Sequence, residues 1–429
     1  MAESAKSIGD CACTVCGCVC DDLTFHVKGN RLQRVEPSCP LADPWFDQLA
    51  QSDPPEACIE GAPVGYDTAI TRAVEILSGS RAPLIFGLSR SSTGGQRAAV
   101  SLAERLGASI DTTASVCHGP SIVAIQQVGE STSTLGEVRH RADLVLFWGA
   151  NPAVSHPRHF ERYSLHPHGQ FLPDSSHGRT VVVIDTKATE TSKRADRFLC
   201  IPADADFDLI WALRARLRGI DIPADVIPGL AAEDFEWLAH TLSSCTYGAV
   251  FFGLGLAQRG IGHANVTALL SLVDDLNDHT RFTARRLRIP GDVTGADLVL
   301  CWQTGFPFAV NLARGYPRYN PGEYSANDLL RRGEVDACLF VGSSAVADLS
   351  AAAQRRVGEL PTVVLDYPHQ QPGWTPTVQL TTAVYGVHAP GTVYRMDEVP
   401  LPTRAVITGR YRTDEQILKA ITEGVVRPS

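Results

Sequence analysis

Cysteine spacing is the feature of this chain that most narrows its chemistry. Six of the twelve cysteines, Cys11, Cys13, Cys16, Cys18, Cys20 and Cys39, fall between residues 11 and 39. In Cys13-x2-Cys16-x3-Cys20, one loop can wrap three corners of an iron–sulfur cube, and the distant Cys39 thiolate closes the fourth. Pro40 stiffens the chain directly after Cys39. Spacing alone does not choose among Cys16, Cys18 and Cys20. It also leaves zinc as a rival, although four-cysteine zinc sites more often carry two Cys-x2-4-Cys pairs and the second pair is missing here.

A second thiol stands in Val116-Cys117-His118-Gly119-Pro120-Ser121. Gly119-Pro120 marks a turn and residues 121–128 read as a helix. A thiol at a helix entrance is a better nucleophile or metal ligand, with His118 placed to donate a proton or steady an anion. The plain alternative is a buried cysteine beside a surface histidine. His156 and His159, three apart, can share a helical face as metal ligands or simply open a polar helix. The segments 302–307 and 314–323 read as long glycine- and proline-rich loops, which inside a compact domain are often functional.

These residues need elements to position them. Apolar runs at 83–87, 144–148, 180–184, 249–252, 337–341 and 362–365 read as strands, with helices at 69–77, 96–106 and 414–422. Uniformly apolar strands suit parallel sheets covered on both faces, so the fold class is α/β with doubly wound units. Ligands bind beyond the carboxyl ends of such strands. The small-residue loops there, Gly149-Ala150-Asn151, Asp185 to Thr189, Gly253-Leu254-Gly255 and Gly342-Ser343, form the expected binding face. Ahead of the sheets, alternating runs around Gly29-Asn30 predict a β-hairpin in a small module where a metal would replace a missing core.

A length of 429 residues allows roughly two to four domains. The net charge of −9 supplies no basic excess for general nucleic-acid binding. No stretch has the apolar length to cross a bilayer, and residues 1–10 lack a signal-peptide core. A cytoplasmic location is expected, where clustered cysteines bind metals rather than form disulfides.

Together, Cys13-Thr14-Val15-Cys16-Gly17-Cys18-Val19-Cys20-Asp21-Asp22, Ser115-Val116-Cys117-His118-Gly119-Pro120-Ser121, Trp148-Gly149-Ala150-Asn151-Pro152, His156-Pro157-Arg158-His159, Arg162-Tyr163-Ser164 and Trp302-Gln303-Thr304-Gly305-Phe306-Pro307 resemble the B subunit of formylmethanofuran dehydrogenase. More broadly, the chain is similar to the molybdopterin oxidoreductases. The resemblance covers residues 11 to 370.

It implies a 4Fe–4S cluster on Cys13, Cys16, Cys20 and Cys39, with Cys11 and Cys18 left as non-ligands. It implies tungsten or molybdenum, carried by two pterin guanine dinucleotides, on Cys117. His118 and Arg288 would flank the reacting carboxyl group, and Gly149, Asn151, Asp185, Thr189, Gly342 and Ser343 would lie at the dinucleotides. The implied domains are an iron–sulfur module at 1–57, a first Rossmann-like pterin-binding domain from 58–111 and 330–429, and a second at 112–329 with the active-site loops. The implied activity interconverts carbon dioxide and formate inside a complex with an amidohydrolase-like A subunit, a C subunit, a formyltransferase-like D subunit and a small β-barrel subunit. A related bacterial formyltransferase/hydrolase complex uses its B subunit as a scaffold, which is the alternative. Arg288-Ile289-Pro290-Gly291-Asp292 departs from the family's Arg-Gly-His-x-Asn. Asp185-Thr186-Lys187 and Pro202-Ala203-Asp204-Ala205-Asp206 depart from its Asp-Pro-Arg and Pro-Gly-x-Asp.

Overall fold

The computed structural model describes residues 5–166, 168–172, 178–223, 225–289 and 291–426. Pro290, within the segment that departs from the family pattern, lies outside them. The architecture is mixed α/β with several sheets. Contacts divide the chain into one unit formed by 1–116 and 289–429 and another formed by 117–288.

The first unit begins with an antiparallel three-stranded sheet, Lys6–Cys11, Leu23–Lys28 and Arg31–Glu36. Gly29 and Asn30, at the turn, both take positive φ (58° and 55°). A two-residue hairpin whose backbone matches the strand twist requires that. Leu23 and Phe25 are buried from the middle strand, and Phe25 packs edge-on against Phe46 of the helix Ala42–Gln51.

The rest of this unit carries a small two-stranded sheet, Gly391–Tyr394 with Pro400–Thr403, and a larger nine-stranded sheet. Its middle five strands, in spatial order Ser109–Thr112, Pro83–Gly87, Ala337–Val341, Thr362–Asp366 and Val378–Thr381, run parallel. Short antiparallel strands close both edges. The strand order reverses between Pro83–Gly87 and Ala337–Val341, the place where open sheets leave a crevice for ligands. Gly87 is required there: its φ is +114° and a Cβ would lie 2.4 Å from the Val341 carbonyl oxygen. Residues 302–304, expected in a loop, instead end the helix Val293–Thr304.

The second unit carries five parallel strands in the order Arg197–Cys200, Thr180–Asp185, Leu144–Trp148, Tyr247–Phe252 and Arg281–Arg286. Leu146, Trp148, Val182, Ile184, Val250 and Phe252 pack against helices Asp206–Leu217 and Gly262–Leu276 in one continuous core. Here the order reverses between Leu144–Trp148 and Tyr247–Phe252. The last strand, Arg-Phe-Thr-Ala-Arg-Arg, is almost wholly buried because the segment 131–133 covers its edge. Ala284 N–H donates to Ser131 O (2.8 Å), and Arg286 pairs with the buried Glu130 (3.2 Å).

Candidate functional site

In the first unit, the cysteine loop leaves the strand Lys6–Cys11 and folds back on itself. Cys13 N–H donates to Cys20 O (2.8 Å) and Val19 N–H to Cys16 O (3.1 Å). Cys39 stands just ahead of the helix Ala42–Gln51, its carbonyl accepting from the N–H groups of Ala42 and Asp43. No disulfide joins any of these residues. Burial pushes the Cys13 thiol well above the ordinary cysteine range, and neighbouring Cys20, Cys16 and Cys39 push it further. The other three thiols therefore lie within electrostatic reach of Cys13. A hydrogen bond from Cys18 holds Cys16 below its usual range, against the opposing effect of burial. Cys11 turns instead to its own backbone, its thiol donating to Ile8 O and Gly9 O (3.4 Å each).

Other segments of the same unit fix the loop. Arg90 donates to both Thr14 O and Val15 O (3.2 Å each). Gly291 approaches so closely that a Cβ would lie 2.0 Å from Thr14 O, so the glycine in the altered segment serves packing. The neighbouring Asp292 is fully buried and accepts from Gly295 N–H (3.0 Å), Tyr394 N–H (2.7 Å) and the Gln96 side chain (3.0 Å). Among the described residues, no three His, Cys, Asp or Glu side chains converge to cage a single metal ion. Four thiols spread around a pinned loop fit a larger, soft-ligand group.

At the reversal of the nine-stranded sheet, Ser343 donates through its N–H (2.8 Å) and hydroxyl (2.5 Å) to Asp366, whose carboxyl is pushed up by burial. Gly342 lies against the Arg90 stem, so one arginine touches both this loop and the cysteine loop.

In the second unit, His118 stands at the N-cap position of the helix Gly119–Val128 and is buried, not the surface group of the plain alternative. Cys117 is half-buried, and its carbonyl accepts from the Gln258 side chain (3.4 Å). Gln258 belongs to the loop that follows Tyr247–Phe252, which packs on Gly149. A Cβ on Gly149 (φ +55°) would lie 2.6 Å from Leu256 N, and Gly255 N–H donates to Gly149 O (3.0 Å). These close glycine approaches let the two loops pack backbone to backbone. On the next residue of the loop, Arg259 pairs with Asp185 (3.2 Å). Beside that pair, Asp206 accepts from the Trp148 indole (2.7 Å) and its carboxyl is pushed up by burial.

Arg259 Nη1 and Asp206 Oδ2 are buried polar atoms with no partner among the described residues. A donor and an acceptor left open beside a carboxylate fit the edge of a bound purine or pterin. Asn151 accepts from Thr191 N–H and hydroxyl (3.2 and 2.7 Å), and Thr189 braces the same turn through Ser192. Hydrogen bonds and packing thus draw Cys117, Gly149, Asn151, Asp185 and Thr189 into one network. Sequence does not single out Arg259, Gln258 or Arg90, since lone polar residues outside apolar runs carry no spacing signal, whereas Asp206 lies in the segment that answers the family's Pro-Gly-x-Asp.

The two histidines are both buried, and His159 opens the short helix Phe160–Ser164. His156 ends the short helix Pro152–Ser155 and is buried, its Nε2 2.9 Å from Arg288 O. Burial lowers its pKa to about 4. His159 lies buried among Phe147, Phe251 and Tyr163, bonded through Nδ1 to Ser164 (2.8 Å).

No protein-family model matches the chain. It is 37% identical over 437 residues, 98% of this chain and 99% of the relative, to the B subunit of the tungsten-containing formylmethanofuran dehydrogenase 2 of Methanocaldococcus jannaschii. It is 28% identical to the B subunit of the formyltransferase/hydrolase complex Fhc of Methylorubrum extorquens, over 72% of this chain and 84% of that one. A chain in the crystal structure of the Methylorubrum extorquens FhcABCD complex with methylofuran superposes with a TM-score of 0.68 at 25% identity, covering 86% of this chain and 98% of that one.

Proposed function

The chain belongs to the family of formylmethanofuran dehydrogenase B subunits, and from that premise we propose that it is the redox-active component of such a complex, interconverting carbon dioxide and formate. In this reading Cys13, Cys16, Cys20 and Cys39 hold a 4Fe–4S cluster, and Cys117 ligates tungsten or molybdenum carried by two pterin dinucleotides. Bound there, that metal group supplies two-electron redox chemistry on the one-carbon substrate. The observation that carries the reading is that the loops bearing Cys117, Gly149, Asn151 and Asp185 are held together by hydrogen bonds at the reversal of one sheet.

The protein's own residues would then act as follows. Gly149, Gly253 and Gly255 let the two strand-end loops pack backbone to backbone at the sheet's reversal, where a dinucleotide would lie, and Asp185 offers a carboxylate to the base. Asn151 and Thr189 hold the adjoining turn in shape, and Gly342 and Ser343 serve the second dinucleotide at the other sheet. Arg288, 3% exposed, presents a permanent cation to a carboxyl group. His118, held at a helix start, lies beside the ligating thiol for proton transfer. Forming formate from carbon dioxide takes two electrons and one proton, and a cluster on Cys13, Cys16, Cys20 and Cys39 would supply the electrons.

Partner subunits would complete the assembly, with an amidohydrolase-like A, a C and a formyltransferase-like D subunit, and a small β-barrel subunit over the second dinucleotide. A scaffold role is the second reading. The likeness to the FhcABCD chain and the altered segment after Arg288 favour it.

Cys117→Ser in the assembled complex separates the two. The redox reading expects formate oxidation to fall by at least about a thousandfold with assembly intact, the scale of losing a group that touches the reacting centre. Full activity of the variant complex would refute it.

A further inference from the structure

We propose that His156 is the positioning residue for Arg288, holding it through its backbone carbonyl in register with the Asn151 loop. The proposal rests on the reading of Arg288 as the carboxyl-binding cation. A carbonyl oxygen only accepts, so the 2.9 Å contact places the His156 proton on Nε2 and leaves Nδ1 as an acceptor. Nδ1 lies 2.9 Å from the Ser155 hydroxyl, which also lies 3.1 Å from Asn151 O, and its single proton is available to either acceptor.

When the hydroxyl donates to Nδ1 it ties Ser155 through His156 to Arg288, linking the short helix after the Asn151 loop to the residue beyond Arg281–Arg286. Asn151 is anchored in turn to Thr191. His156 is 1% exposed, so water does not compete for the carbonyl. Arg288 lies two residues past the end of its strand. Ladder hydrogen bonds have stopped there, although Leu287 N–H still donates to Phe252 O (3.0 Å). The imidazole anchors the chain one residue later, where the strand no longer dictates direction. A cation displaced by about 1 Å loses much of its hold on a planar carboxylate.

The test measures formate oxidation by the assembled complex with a viologen dye as electron acceptor. His156→Ala is expected to raise KM for formate at least about tenfold while kcat changes by less than about threefold. His156→Gln, whose amide N–H can reach the same carbonyl, is expected to stay within about threefold of the parent in both. Hydrogen exchange read by mass spectrometry should show faster exchange at 286–289 in the alanine variant and parent-like exchange in the glutamine variant. Should the alanine variant fail to assemble, Ser155→Ala, which removes the hydroxyl facing Nδ1, is expected to raise KM about threefold.

Equal losses in the alanine and glutamine variants would overturn the proposal. So would an unchanged KM in His156→Ala, or in Ser155→Ala where that variant stands in, alongside a raised KM in Arg288→Ala. An unchanged KM in Arg288→Ala would remove the reading of Arg288 itself, and the proposal with it.

Discussion

The two thiol-bearing regions are built on opposite plans. The loop with Cys13, Cys16 and Cys20 leans on a three-stranded sheet with few buried side chains, chiefly Leu23, Phe25, Val27, Leu32 and Val35. Its shape comes from backbone hydrogen bonds within the loop and from contacts that Arg90, Gly291 and Met396 bring from the rest of its unit. The Cys117 region hangs on a five-stranded parallel sheet with a large continuous core. Where the core is thin, the cysteines are part of the structure, and a bound group would stabilise the fold that binds it. Where the core is thick, the loops can change without unfolding the sheet.

The largest expected contrast is between paired substitutions. Cys13→Ser with Cys16→Ser should abolish iron binding and open residues 11–40 to protease, whereas Cys117→Ser should leave iron content and protease resistance unchanged. Equal protease sensitivity in both variants would break the comparison.

Next in size is Gly149→Val in the thick-cored unit. A side chain at φ +55°, 2.6 Å from Leu256 N, should cost about 3 kcal/mol. It should appear as a lowered denaturation midpoint with the cysteine module intact.

A pH titration gives a signal of comparable size in the second unit, isolated by substitution because burial also lowers His369 and His388 of the first unit to about 4. His156 has its pKa lowered to about 4, first by burial, against the hydrogen bond to Arg288 O that raises it. The unfolded chain, near 6.5, binds the proton more readily. This stability is therefore fully present above about pH 6.5 and is lost as pH falls through about 4, by about 3 kcal/mol. Burial also pushes His159 well below its usual range, in the same direction. His156→Gln should flatten part of the slope, as measured by denaturant unfolding from pH 7 to 4. An unchanged slope would contradict the account.

The smallest effect concerns the capping box of Thr134 and Glu137 at the helix Leu135–Arg141. Thr134→Ala should cost about 1 kcal/mol and leave metal content untouched.

Much of this comparison is legible in the sequence, unevenly. The apolar strands at 83–87, 144–148, 180–184, 337–341 and 362–365 stand where their side chains predict, because buried parallel strands are apolar on both faces. Arg281–Arg286 escapes that rule, since its buried arginines find carbonyl and carboxylate partners in 130–133. The edge hairpin of Ala57–Ile59 and Ala62–Val64 is too short to show a period. Among site residues, cysteines and glycines announce themselves by spacing. His156 is visible in the sequence, but its partner is a backbone carbonyl 132 residues away, and no local pattern encodes that. The Asp185–Arg259 pair is likewise made only by the folding of two loops at the sheet's reversal.

Metal analysis of the purified complex tests the central claim most directly. The redox reading predicts about four iron atoms and one tungsten or molybdenum atom for each copy of this chain. Iron without tungsten or molybdenum would contradict it and leave the chain a scaffold.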